Sequence, residues 1–320
     1  MNRTLRLAAA AALPLLFPAF AFAADFDGAS LSPLWGVPFA GILLSIALLP
    51  LLVPSFWHHH YGKISAAWAL AFLLPFAATY GAGLAGVQLV HALVAEYIPF
   101  IILLTALFTV AGGIHIRGNL RGAPGLNTAI LAIGAVLASF MGTTGASMLL
   151  IRPLIRANDD RVHKVHVIVF FIFIVSNAGG ALTPLGDPPL FLGFLKGVGF
   201  FWTAQNILPE TLFILGVLLA LFYAIDRHYY RKEGVLPVDP TPTTPETQRL
   251  GFDGAANFWL LGGVVALVLL SGFWKSPVSF DVFGTEVGLP GLVRDVGLLL
   301  IALVSYKLTS PKVHADNQFE

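Results

Sequence analysis

Long apolar stretches alternate with short polar breaks along nearly the whole chain. Pro38–Val53, Ser65–Ala85, Val90–Gly112, Ile207–Ile225, Asn257–Phe273 and Pro290–Tyr306 are predominantly apolar. A helix of that kind faces lipid or lies wholly inside protein, and about 20 such residues cross a bilayer core. Each is predicted to be a transmembrane helix. Two further apolar stretches carry a break. Leu126–Ile155 is interrupted at Met141-Gly142-Thr143-Thr144-Gly145, and Lys164–Asn177 resumes at Pro188–Leu195 after the run "NAGGALTPLGD".

Composition agrees with that reading. The chain is 57% hydrophobic and 11% charged, with a mean hydropathy of +0.82. Soluble domains carry about 25% charged residues, so too little charge is present to cover a wet surface. The expected class is an all-α polytopic membrane protein. A net charge of +1 with no basic patch gives nucleic acid no footing, and the absence of cysteine excludes disulfides and thiol chemistry. At the N-terminus, Arg3 and Arg6 precede an apolar run, Leu7 to Phe20, and the small-x-small triplet Ala21-Phe22-Ala23. Residues 1–23 therefore read as a signal peptide, cleaved or kept as a signal anchor.

Lys and Arg favour the cytoplasmic side of a membrane. Lys63 follows the first span, Arg117 and Arg121 the third, the group Arg152, Arg156, Arg161 and Lys164 the interrupted stretch, and the group Arg227, Arg231, Lys232 and Arg249 the span Ile207–Ile225. Lys307 and Lys312 follow the last one. Both flanks of Leu126–Ile155 are basic, so this stretch is expected to enter and leave on one side, as a re-entrant hairpin with its tip near Gly142–Gly145. The first repeat then covers residues 38–226, with the hairpin at 126–155 and a broken helix at 164–197. A Pro- and Thr-rich cytoplasmic linker follows at 227–256. The spans at 257–306 start in the opposite orientation, which is the plan of an inverted repeat. This second repeat holds no hairpin or broken helix of its own and reads as incomplete, and a polar tail occupies 307–320.

Unpaired backbone groups in lipid cost several kcal/mol each, roughly, so irregular backbone at that depth belongs inside protein or beside a wet cavity. The two breaks are rich in small and hydroxyl residues, as a polar binding site requires. Thr143, Thr144, Ser139 and Ser147 of the hairpin are expected to face Ser176, Asn177 and Thr183 across it. Oxygen-only ligation suits hard cations such as sodium, with Asp187 and Asn177 as candidate metal ligands. The helix end at Asn177 would offer carbonyls to a cation, and the helix start at Pro188 would offer N–H groups to an anion. Asp187 has two readings: a helix N-cap before Pro188, or a functional charge at membrane depth. Of the remaining polar residues, His58-His59-His60 reads as a solvated interfacial loop, His163 and His166 as solvated, and His91 and Glu96 as interfacial or as a proton access route. "GAGLAG" at Gly81–Gly86 follows no strand and is discounted as a nucleotide loop.

The runs "SNAGGALTPLGDPPLFLGFLKGVGFFW" (Ser176–Trp202) and "GTTGASMLLIRPLIRAN" (Gly142–Asn158) resemble the ion transporter superfamily, and within it the NhaD-type bacterial sodium:proton antiporters. The likeness is strongest over about Ala40 to Ile225. It implies an inverted-repeat transporter fold, with hairpin tips meeting unwound helices. On the matching motifs it implies an ion or substrate site at Ser176, Asn177, Thr183, Asp187, Thr143, Thr144 and Ser147. It also implies a bacterial inner-membrane location and a homodimer. The function expected on this basis is exchange of sodium for protons around Asp187, with no cofactor and no enzyme activity. The alternatives are a sodium-coupled organic carboxylate symporter and a non-transporting fragment or subunit. A buried Lys or Arg would favour the symporter; the reading finds none on the apolar side of the breaks, with Arg152 a few residues away. An intramembrane aspartyl protease needs two carboxylates sharing a proton, and only Asp187 is placed at depth.

Overall fold

A computed structural model of the chain describes residues 26, 28, 31–117, 121–234 and 251–317. The expected signal segment at 1–23 and residues 235–250 of the expected linker lie outside the described residues. Seven helices among those described are long and apolar enough to cross a bilayer. The chain is a multi-pass, largely helical membrane protein. It divides into two compact units, residues 1–95 with 280–287, and residues 96–279 with 288–320.

The first unit contains α1 (Val37–Leu52), α2 (Pro54–Tyr80) and α3 (Ala82–His91). Gly41 of α1 accepts the face of Trp68, because a methyl there would lie 2.4 Å from the indole. Trp68 Nε1 in turn donates to Ser45 Oγ at 3.1 Å. Trp35, Phe72, Phe76 and Tyr80 form an aromatic cluster. The three histidines are not in a loop. Helix α2 starts at Pro54, and His59 and His60 place Nδ1 against the carbonyls of Ser55 and Phe56 at 2.8 and 3.0 Å. Those bonds let polar residues extend the helix beyond its apolar run. The predicted all-α content also needs correction. Strands β3 (Ser279–Val282) and β4 (Thr285–Gly288) pair, turning through Phe283 and Gly284, both at positive φ. Strands β1 (His115–Arg117) and β2 (Gly251–Asp253) form a second antiparallel pair, in the other unit.

The second unit holds both predicted breaks. Helix α4 (Ile98–Gly112) leads to α5 (Pro124–Ala157), α6 (Val165–Ile174), α7 (Pro188–Leu195) and α8 (Trp202–Glu233); α9 (Ala256–Phe273), α10 (Leu289–Leu308) and α11 (Pro311–Asp316) follow. Straight, the 34 residues of α5 would reach about 51 Å at 1.5 Å per residue. They do not. Gly142 has φ 79° and ψ 153°, outside helical values, and the two arms fold back on each other. Asn127 and Asn158 exchange amide hydrogen bonds at 2.9 and 3.0 Å, and Gly122 N donates to Ala157 O at 2.5 Å. Only glycine adopts the φ of residue 142 without strain. More than half of the hairpin's most apolar window, 56%, is buried, against 0% for Pro33–Leu52. The tip residues Ser139, Met141, Gly142 and Gly145 are among the buried ones, so the break lies inside protein, where irregular backbone is tolerated.

A buried polar cluster fastens the hairpin base. Asp226 of α8 is fully buried, accepting from Arg161 Nη1 at 2.5 Å and Asn127 Nδ2 at 3.0 Å, with His166 Nε2 at 2.8 Å. Arg161 Nε donates to Glu233 at 3.1 Å, and Glu233 also accepts the His163 amide at 2.7 Å. Arg161 and His166 are therefore not solvated charges. Their partners also explain why α8 continues beyond the apolar run that ends at Ile225. The tail is docked rather than free: Asn317 Nδ2 donates to Gly112 O and Ile114 O at 2.7 and 2.8 Å, and Asn257 Nδ2 donates to Gly113 O at 2.9 Å. These amides satisfy carbonyls that the end of α4 leaves without helical partners.

Candidate functional site

Helix α6 ends at Ile174, and Asn177 leaves helical geometry with φ −136° and ψ −85°. The chain then runs unwound to Asp187, with one 3-10 turn at Ala178–Gly180. The hairpin tip sits in this loop. Thr143 N donates to Gly186 O at 3.1 Å, and Ser139 Oγ donates to Gly179 O at 2.7 Å. Thr183 Oγ1 donates to Ser139 O. Ser147 Oγ and Ser176 Oγ share a hydrogen bond at 2.8 Å. Thr203 Oγ1 supports the loop from α8 by donating to Leu182 O at 2.8 Å.

Glycines permit the contact. A methyl on Gly186 would stand 2.1 Å from Gly180 O, and one on Gly180 would stand 2.6 Å from Thr143 Cγ2. Gly186→Ala is expected to lower stability by about 1–3 kcal/mol, the usual cost of overpacking. Gly193→Ala is the control, since a methyl there meets nothing closer than 3.8 Å. Thermal unfolding of the purified variants checks this, and equal midpoints would refute the close approach.

The structure brings Thr143, Ser147, Ser176 and Thr183 into one junction. Thr143 and Thr144 also line a cavity of about 300 Å³ between the tip, the loop and α4. Its walls are otherwise mostly apolar, including Phe100, Leu103, Leu107, Met141 and Phe191. Ser147, Ser176, Asn177, Thr183 and Asp187 are not in that wall. Asn177 is exposed and Asp187 half-buried, and no hydrogen bond to either side chain is found among the described residues.

The start of α7 corrects one expectation and narrows another. Pro188 and Pro189 have no N–H, and the amides of Leu190 and Phe191 both donate to the Asp187 carbonyl, at 3.0 and 3.3 Å. No backbone donors remain for an anion there. For the same reason Asp187 stands at the N-cap with extended backbone, yet its carboxylate makes no capping bond. An N-cap side chain normally accepts from the second or third helical amide; here the first of these is a proline and the second is taken.

A further residue escaped the sequence reading. Arg294 of α10 is 4% exposed, donates through Nε to Asp295 at 2.7 Å, and lies over the Phe191 ring, 5.5 Å from its centroid. The signal was present as the charged pair inside "GLVRDVGLLL", because an ionisable residue within a membrane span is a candidate for function by default.

A family model described as "Putative citrate transport" (CitMHS_2) matches residues 28–320. The chain belongs to this family. No curated protein and no solved structure matches the chain. Membership of CitMHS_2 makes it a transport protein of the ion transporter type. The NhaD-type specificity that its motifs resemble is a finer matter than the family decides.

Proposed function

We propose that this chain serves secondary transport of small carboxylate anions, with a sodium ion or proton bound where the hairpin tip meets the unwound loop. The observation that carries the cation site is the donor-poor start of α7. Two prolines and two spent amides leave the Asp187 carboxylate without a backbone donor at the start of α7. Asp187 and Asn177 are the proposed sodium ligands, and Thr143, Thr144, Ser147, Ser176 and Thr183 supply the surrounding oxygens. Such a set suits a hard cation. In this reading the hairpin is re-entrant, the chain lies in a bacterial inner membrane, and the inverted repeat supplies alternating access.

The family supports the carboxylate. Each uncompensated charge moved across the membrane costs about 2.3 kcal/mol per 100 mV. A di- or trianion entering an inside-negative cell therefore needs at least as many cations to enter without opposing the potential. A second reading, sodium–proton exchange at Asp187, is favoured by the cavity wall, which contains no basic side chain among the described residues.

Proteoliposomes separate the two. Carboxylate transport predicts that an inward sodium gradient raises labelled citrate uptake severalfold over a choline control. Exchange predicts instead that sodium collapses an imposed pH gradient without citrate. If neither occurs, both readings fall.

A further inference from the structure

Arg294 presents an unusual combination of burial and unused hydrogen-bonding capacity. A guanidinium carries five N–H groups in a planar fork. In Arg294 the single Nε–H is engaged, with Asp295 Oδ1 at 2.7 Å. Nη1 and Nη2 meet no acceptor among the described residues and are not fully covered, although the residue as a whole is 4% exposed. Adjacent helical positions do not face each other, so Asp295 reaches the side of the fork and leaves its end open. The cation's other contact is the face of Phe191, a weaker partner than a carboxylate. The end of the fork is thus accessible to a small ligand while its stem is covered, and a span that retains an ionisable side chain commonly has a use for it.

Phe191 connects this arginine to the candidate site. It is fully buried, it lines the 300 Å³ cavity, and it lies four positions after Asp187 on α7. We infer that Arg294 is the cationic anchor of a carboxylate subsite adjoining that cavity, reached by displacement of the Phe191 ring. The open end of the fork matches the two oxygens of a carboxylate bidentately. An incoming carboxylate would replace the aromatic face as the partner of Nη1 and Nη2. The threonines of the tip, Thr143 and Thr144, would meet the hydroxyl or second carboxylate of the same molecule. The ligand class is a small di- or tricarboxylate, and the cation site at Asp187 remains separate from it. This inference rests on the carboxylate reading above.

The test uses the full chain in detergent, with citrate as the probe and thermal midpoint as the readout, since a ligand of the folded state raises it with concentration. Arg294→Gln combined with Asp295→Asn keeps the local charge balanced. The double variant is expected to weaken apparent citrate affinity at least about tenfold, the order of one lost charged hydrogen bond. Its sodium response without citrate is expected to match the parent. Arg294→Lys keeps the charge but loses the fork, and is expected to weaken citrate affinity about threefold or more. A folded double variant that binds citrate within about twofold of the parent overturns the role of Arg294 and leaves the carboxylate reading standing. Should the double variant not fold, parental affinity in Arg294→Lys overturns the inference instead. A parent that responds to sodium and not to citrate removes both.

Discussion

Asp187→Asn is expected to abolish sodium-stimulated transport while the protein still folds and reaches the membrane. The substitution is diagnostic because Asn caps helices about as well as Asp. A capping role would survive it, and an ionic role would not. No hydrogen bond to the Asp187 side chain is found among the described residues, so stability is expected to stay within about 0.5 kcal/mol of the parent. Loss of one charged ligand is worth about 1.5–3 kcal/mol, which weakens sodium affinity roughly 10- to 100-fold. Asp187→Glu keeps the charge but shifts it by one methylene, and partial activity is expected. Thr143→Val removes a neutral oxygen, and the expected loss is a fewfold change in sodium affinity at most. The measurement is sodium-dependent uptake against sodium concentration in proteoliposomes, with thermal midpoints as the folding control. Parental sodium dependence in a folded Asp187→Asn protein would remove the cation site from the start of α7.

The two interruptions were legible in the sequence because glycine, proline and hydroxyl residues cannot pass unnoticed in an apolar run. The backbone leaves helical geometry where they stand, at Gly142 and from Asn177 to Asp187. Less visible was what each polar side chain would meet. Asp226 and Arg161 come just after apolar runs and His166 at the start of one, where charges ordinarily face water. Their pairing joins residues 60 and 65 positions apart, which no local pattern encodes. The donor-poor start of α7 was written in "DPPLF", but only the structure shows that the next two amides turn back to the Asp187 carbonyl. Arg294 was hidden by the length of the apolar run around it. Its relation to Phe191 depends on packing of α10 near α7, far apart in sequence.

The hairpin base should be the most sensitive point for stability. Arg161 is 2% exposed and is the cation that faces both Asp226 and Glu233. Arg161→Met would leave two buried carboxylates, with only His166 and Asn127 beside Asp226. Breaking a buried pair from one side typically costs about 3–5 kcal/mol, because the abandoned charge has lost its water as well as its partner. The expected outcome is a thermal midpoint lower by about 5 °C or more. Asp226→Asn should cost less, since the amide still accepts a hydrogen bond and no anion is stranded at that position. Pairing Arg161→Met with Asp226→Asn should recover part of the loss, with a coupling of about 0.5–3 kcal/mol for groups in direct contact. Purely additive losses would mean that the two residues act independently, and the base would then owe its closure to the amide pair of Asn127 and Asn158 and to the Gly122–Ala157 backbone bond. The site should feel the same change at a distance. The base holds the ends of both hairpin arms, and the tip that docks at Gly186 is carried on those arms, so a loosened base is expected to weaken sodium binding without altering any residue at the junction.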